Sequence, residues 1–253
     1  LLFRQTGILL SLVVSIFFLL NLVILKIPFQ SMYNLPYFKE QDKEVILEFI
    51  HRHPFAFLSG CDEENKPGAT QVPVFIDEKD RKLFLTGHMM RQTDHHKAFL
   101  QNQNVLAVFT GPHTYVSATW YSNPNQASTW NYMSVHAKGT IRFLDEDGLI
   151  QILKKTTLHF ENKNADSPTV FDNLPEEYRQ RLMKSIVAFE IEVQQIDNVF
   201  KLSQNRDEKS YQHIIEKLEK QDNDAKQIAK EMETRTSQLF NDGVSPQNGN
   251  LET

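Results

Sequence analysis

With 253 residues, 40% of them hydrophobic, the chain is long enough for one sizeable core, alone or with appendages. Its formal charge of −5 gives no sign of a nucleic-acid backbone or an anionic membrane as main partner. A single cysteine, Cys61, excludes an internal disulfide and any cysteine-pair metal site.

Residues 7–27 are almost unbroken apolar sequence, about long enough to cross a bilayer as a helix. The exit Lys26-Ile27-Pro28-Phe29-Gln30-Ser31 lacks the small-x-small pattern of a cleaved signal. Two readings stand for residues 1–31: a membrane anchor, or a mis-assigned start, because Leu1 is not a methionine and Met32 precedes a globular-looking opening. The second makes the protein cytoplasmic, the first membrane-anchored.

From Lys39 to His51, Val45, Ile46, Phe49 and Ile50 line one helical face, and Pro54 stops the helix. Phe55 to Ser59 reads as a strand, Ala69 to Ile76 as a second with Pro73 favouring an edge or a bulge, and Lys82 to Thr86 as the returning strand. Asp94 to Asn102 is a short helix with His95, His96 and Lys97 at its start, a place that suits phosphate. Val105 to Thr110 is a strand closed by Gly111-Pro112. Tyr132 to Lys138 alternates as another, which Gly139 to Leu144 continues or pairs.

Asp145 to Leu158 is helical in pattern, and Pro175-Glu176-Glu177 opens a helix reaching Ile186. Val187 to Ile196 alternates as a half-solvated strand, with Phe189, Ile191 and Val193 against Glu190 and Glu192. Asp207 to Phe240 is charged and helical; ten acidic and six basic residues lie between Asp207 and Thr253. The organisation expected is an apolar segment 1–31, a domain 32–206, a helical region 207–240 and a disordered tail 241–253. The fold class is α+β, a mostly antiparallel sheet closing into a barrel with peripheral helices.

No Gly-x-Gly pair occurs, which removes the Rossmann fingerprint and the phosphate loop of nucleoside triphosphatases. Neither His-Glu-x-x-His nor Gly-x-Ser-x-Gly occurs, so the commonest zinc-protease and esterase readings fall too. Nine histidines match no simple ligand spacing, and no metal is expected.

Phe109 to Gly139 holds both tryptophans. Trp120-Tyr121 and Trp130-Asn131-Tyr132 bracket a polar loop, and Ser117, Thr119, Ser128 and Thr129 put hydroxyls beside the rings. Rings of this kind serve equally as core, as subunit interface or as a platform for a flat conjugated ligand.

At His53-Pro54-Phe55-Ala56, Gly111-Pro112-His113 with Tyr115, Trp120-Tyr121, Thr129-Trp130-Asn131-Tyr132 with Val135-His136, and Lys201-Leu202-Ser203-Gln204-Asn205, the sequence resembles PaiB-type FMN-binding negative transcriptional regulators. These are a branch of the pyridoxamine-phosphate-oxidase-like split-barrel flavoproteins. The resemblance spans roughly Met32 to Leu218 and departs from the family at Ser128 and Ala118, where proline is common. It implies a split β-barrel that dimerises, with FMN between subunits. The implied cofactor residues are His88, Arg91, Thr93 and His95 at the phosphate, with Ser117, Trp130, Asn131, Tyr132, Lys201, Ser203, Gln204 and Asn205 lining the rest. No catalytic residue is implied. The implied function is repression or flavin and redox sensing; the alternative is an FMN-dependent oxidoreductase. DNA is a possible partner that the charge does not favour, and a membrane is one only if residues 1–31 are native.

Overall fold

The structure, a computed structural model, describes residues 33–123 and 125–240; the apolar segment and the tail expected to be disordered lie outside them. The chain divides into two compact units, Leu1–Asn34 and Leu35–Thr253. The second holds every strand and helix among the described residues. None of those helices is long and apolar enough to cross a membrane.

Six strands form a closed barrel in the order β1-β2-β3-β6-β5-β4, with every neighbouring pair antiparallel. They are β1 (Phe55–Cys61), β2 (Pro67–Lys79), β3 (Lys82–Met90), β4 (Asn104–Val116), β5 (Thr129–Phe143) and β6 (Ile186–Lys201). β1 and β4 close the barrel over a short ladder, Phe57 to Gly60 against Val105 to Val108. Among the described residues six α-helices surround it: α1 (Lys43–Arg52), α2 (Asp94–Gln101), α3 (Glu146–Phe160), α4 (Glu176–Ser185), α5 (Glu208–Leu218) and α6 (Asn223–Phe240). The α+β antiparallel barrel expected from the sequence is the fold observed.

Alternate residues of each strand fill the interior, among them Ala56, Leu58, Leu85, Val135, Ala137, Phe189 and Ile191. Phe49 and Ile50 of α1 join this core, as do Tyr211, Ile214 and Leu218 of α5 and Ala225, Ile228, Ala229 and Met232 of α6. The charged 207–240 stretch is therefore a pair of amphipathic helices whose apolar stripes share the barrel's core. A smaller cluster joins Leu149, Ile152 and Leu153 of α3 to Ile186 and Ala188 of β6.

Two strand assignments change, and for a third the continuing alternative holds. Pro73 lies on neither an edge nor a strand end: it is the last residue paired with β1, opposite Phe55, and pairing with β3 begins at Val74. A residue without an N–H costs least at that changeover. Gly111-Pro112 does not close β4, which runs on to Val116 and absorbs the dipeptide in a register shift between Thr110 and His113. A Cβ on Gly111 would lie 2.6 Å from the Phe49 ring, so glycine there lets α1 pack against the strand. Lastly, 129–143 is one strand, with irregular pairing to β6 at Lys138 and Gly139.

Candidate functional site

Period-two alternation puts Trp130, Tyr132, Ser134 and His136 on one face of β5, and Asn131, Met133, Val135 and Ala137 on the other. On β4, Tyr115 stands opposite Trp130 and His113 opposite Tyr132; on β6, Lys201 stands opposite Tyr132. The Tyr115 and Trp130 rings meet edge to face at 6.1 Å, and they stay 48% and 53% exposed. A folded chain seldom leaves two such rings side by side in water without a use for them. Lys201 donates through Nζ to Thr129 Oγ1 at 2.6 Å and lies 5.8 Å from the Phe38 ring centre. Burial, with Arg206 nearby, lowers its pKa. Ser117 accepts the Thr119 N–H at 3.3 Å, capping the short turn Ala118–Trp120 at the border of this wall.

Asn131, Ser203 and Gln204 do not reach the wall. Asn131 is fully buried on the opposite face, where it accepts from Ser203 Oγ at 3.0 Å and points Nδ2 at the Met232 sulfur of α6, 3.6 Å away. Gln204 accepts the Leu202 N–H at 2.7 Å and donates to the Phe200 carbonyl at 2.5 Å, fastening the turn after β6. Asn205 is exposed on that turn. These side chains anchor the C-terminal helices. Asn131→Ala is accordingly expected to cost about 1–3 kcal/mol of stability by stranding Ser203, read from urea denaturation. Any ligand affinity of the wall should change by less than about twofold in the folded variant.

The residues expected at a phosphate gather at the far end of β3. Thr93 caps α2, accepting the His96 N–H at 3.4 Å and contacting His95 Nε2 at 2.9 Å, while His95 Nδ1 lies 3.1 Å from Asp94 Oδ1. Arg91 turns elsewhere: its backbone N–H donates to the Ser185 carbonyl at 2.9 Å and its Nε to the Ile186 carbonyl at 2.6 Å, in a groove between α3 and α4. His88 is mostly buried, and sequence reading missed its neighbour on the same strand face, Thr86. Thr86 Oγ1 and His88 Nδ1 are both buried without a hydrogen-bond partner. Two orphaned polar atoms on one strand face mark a place where a ligand would supply partners. The signal available in the sequence was the i, i+2 spacing of Thr86 and His88.

Burial lowers the pKa of His88 and holds the ring neutral. An unfolded histidine titrates near 6.5, so the contribution of His88 to stability is complete above about pH 6.5 and is lost as pH falls toward the folded value. Urea unfolding should show stability falling from about pH 7.5 to about pH 5.5, by at most about 1.4 kcal/mol per pH unit for this proton. His88→Gln should remove that share of the slope; an identical slope would assign the effect to other groups.

The two clusters lie at opposite ends of β6. Ala188 pairs with His88 and Lys201 with Tyr132; the thirteen residue steps from one to the other trace about 40 Å along an extended strand. Among the described residues, no group of three or more histidine, cysteine or acidic side chains could hold a metal ion.

A family model described as "Putative FMN-binding domain" matches residues 32–195. Protease synthase and sporulation protein PAI 2 of Bacillus subtilis is 37% identical over 205 residues, 81% of this chain and 98% of that protein. An uncharacterized protein of Emericella nidulans is 26% identical over 189 residues, 63% of this chain and 75% of its own. Among solved structures, the flavocytochrome Anf3 of Azotobacter vinelandii superposes with a TM-score of 0.49 at 15% identity, covering 67% of this chain and 72% of that one.

Proposed function

The chain belongs to the PaiB-type FMN-binding family, and from that premise we propose a homodimer in which each FMN lies between the β4–β6 wall of one copy and the β3–α2 corner of the other. The separation along β6 carries this reading. FMN is far shorter than the run of β6 between the two clusters, and this supports a cofactor that bridges two copies.

The residues present suit the group. Trp130, Tyr115 and Tyr132 offer rings for a flat conjugated system, and Lys201 a cation beside them. Thr86 and His88 offer the unsatisfied hydroxyl and ring nitrogen that the polar edge of a flavin would pair. Thr93 and His95, at the N-terminus of α2, suit a phosphate. Arg91 is left out of this set because the Ile186 carbonyl holds it elsewhere. Phe55 and Phe57 of β1, 60% and 43% exposed, add apolar surface for a second copy. FMN, when bound, supplies one- and two-electron redox chemistry.

The role proposed is regulatory: FMN occupancy or redox state is the signal. The Bacillus relative's name ties that protein to protease synthesis and sporulation, in keeping with a regulator. The acidic balance disfavours direct contact with DNA. The deciding experiment adds FMN to the purified protein and follows the visible spectrum together with sedimentation. A flavin spectrum on a dimer, with one FMN per chain, is the expected result; a colourless monomer would refute the reading. Retardation of DNA from the gene's own neighbourhood at low salt, compared between oxidised and reduced protein, then tests direct repression.

One observation favours a second reading as an oxidoreductase. His113 shares the Trp130 face, with Nδ1 3.7 Å from Asp224 Oδ2, so an imidazole stands beside the ring wall with a carboxylate behind it. Rapid anaerobic bleaching of the flavin by NADH or NADPH, slowed in His113→Ala, would support it. A flavin inert to both reductants would exclude them as its electron donors.

A further inference from the structure

Next to the β3–α2 corner, a groove of about 460 Å³ runs between α3 and α4, lined by Arg91, Glu146, Leu149, Gln180, Met183 and Lys184. That volume is in the range of small-molecule sites, roughly 300–1,000 Å³. Helical spacing builds it. Glu146 and Leu149 are one turn apart on α3, and Gln180, Met183 and Lys184 fall within one turn of α4. Leu149 is buried and forms the floor with Met183. The carbonyls of Ser185 and Ile186 fix Arg91 in its lining.

Neither Arg91, Lys184 nor Glu146 takes part in an ion pair among the described residues. Two cations line the groove at the end of α4, and one carboxylate lines it from the first turn of α3. A carboxylate between Arg91 and Lys184 would relieve their repulsion and suit the planar guanidinium. An ammonium on the same ligand would meet Glu146, and an aliphatic body would cover Leu149 and Met183.

We propose that this groove binds an aliphatic α-amino acid, at a site separate from the flavin. Titration calorimetry on the FMN-loaded protein tests it with three probes: leucine, 4-methylpentanoate, which lacks the ammonium, and isoamylamine, which lacks the carboxylate. Leucine should bind with a dissociation constant of about 1 mM or tighter, and each analogue about tenfold more weakly. Lys184→Ala should weaken leucine about fivefold or more, and Glu146→Gln should abolish the preference for leucine over 4-methylpentanoate. Both side chains are exposed, so neither change threatens the fold, and flavin absorbance should be unchanged in both variants. No binding of leucine, equal binding of leucine and 4-methylpentanoate by the unmodified protein, or full leucine affinity in Lys184→Ala would each overturn the proposal.

Discussion

Trp130→Ala should weaken FMN binding by about tenfold to a hundredfold, and so should the pair Thr86→Val with His88→Leu, yet an equal mixture of the two variants should regain strong sites. Losing a stacking ring costs about 1–3 kcal/mol. Removing two polar partners costs about 1 kcal/mol each. The recovery is the informative part. If every cofactor lies between the wall of one copy and the β3 face of another, a mixed dimer contains one site with both halves intact and one with both halves damaged. Random assembly makes half of the dimers mixed, so about a quarter of all sites should bind at full affinity. Fluorescence titration of co-refolded protein would resolve that fraction. If one copy supplied all the contacts, mixing would recover nothing, and a cofactor bridging two copies would be refuted.

The same alternation that makes this experiment possible was visible in the chain. Trp130 and Tyr132 share a strand parity that Asn131 does not, so a strand through Thr129-Trp130-Asn131-Tyr132 cannot offer all three to one ligand. The start of α2 at Asp94 and the stop at Pro54 were equally legible, because Thr93 and Pro54 act on backbone within a few residues, whereas α1 begins at Lys43, behind an Asp42 cap, and not at Lys39. What the sequence hid depends on distant partners. Gly111-Pro112 reads as a strand end until Phe49, sixty-two residues earlier, occupies the space beside the glycine. Ser203 and Gln204 are expected to line the cofactor, but Asn131 holds the first and the Leu202 and Phe200 backbone the second. Arg91 looks like a free cation until the start of β6 brings the Ile186 carbonyl to it. In each case local chemistry set the residue's capability, and a contact made only by the closed barrel decided its use.

Gly139→Ala should be the most destabilising single-methyl change in the barrel, costing about 3 kcal/mol or more. Pairing between β5 and β6 passes from Lys138 opposite Gln195 to Gly139 opposite Val193, so one residue of β6 is skipped there. The offset presses β6 against Gly139: a Cβ would collide with the Glu192 carbonyl oxygen and lie 2.8 Å from Ile191 Cγ2. The obstructing oxygen is backbone in the middle of a ladder, so relief requires opening hydrogen bonds on both sides of the irregularity. Gly68→Ala is the natural contrast. Its Cβ would sit 3.1 Å from His95 Cα and 3.3 Å from Ala98 Cβ, contacts that α2 can relax by a small shift at a cost of about 1 kcal/mol. Urea midpoints of the two variants should therefore differ by at least about 2 kcal/mol in derived stability, and equal losses would show that β6 yields at the skipped residue. The functional consequence comes from the same strand. Because the offset sits between Ala188 and Lys201, it sets how the half of β6 beside His88 is turned relative to the half beside Tyr132. A Gly139→Ala protein that folds by shifting β6 should keep its secondary structure and lose FMN affinity, although residue 139 lies on the buried face and touches no cofactor.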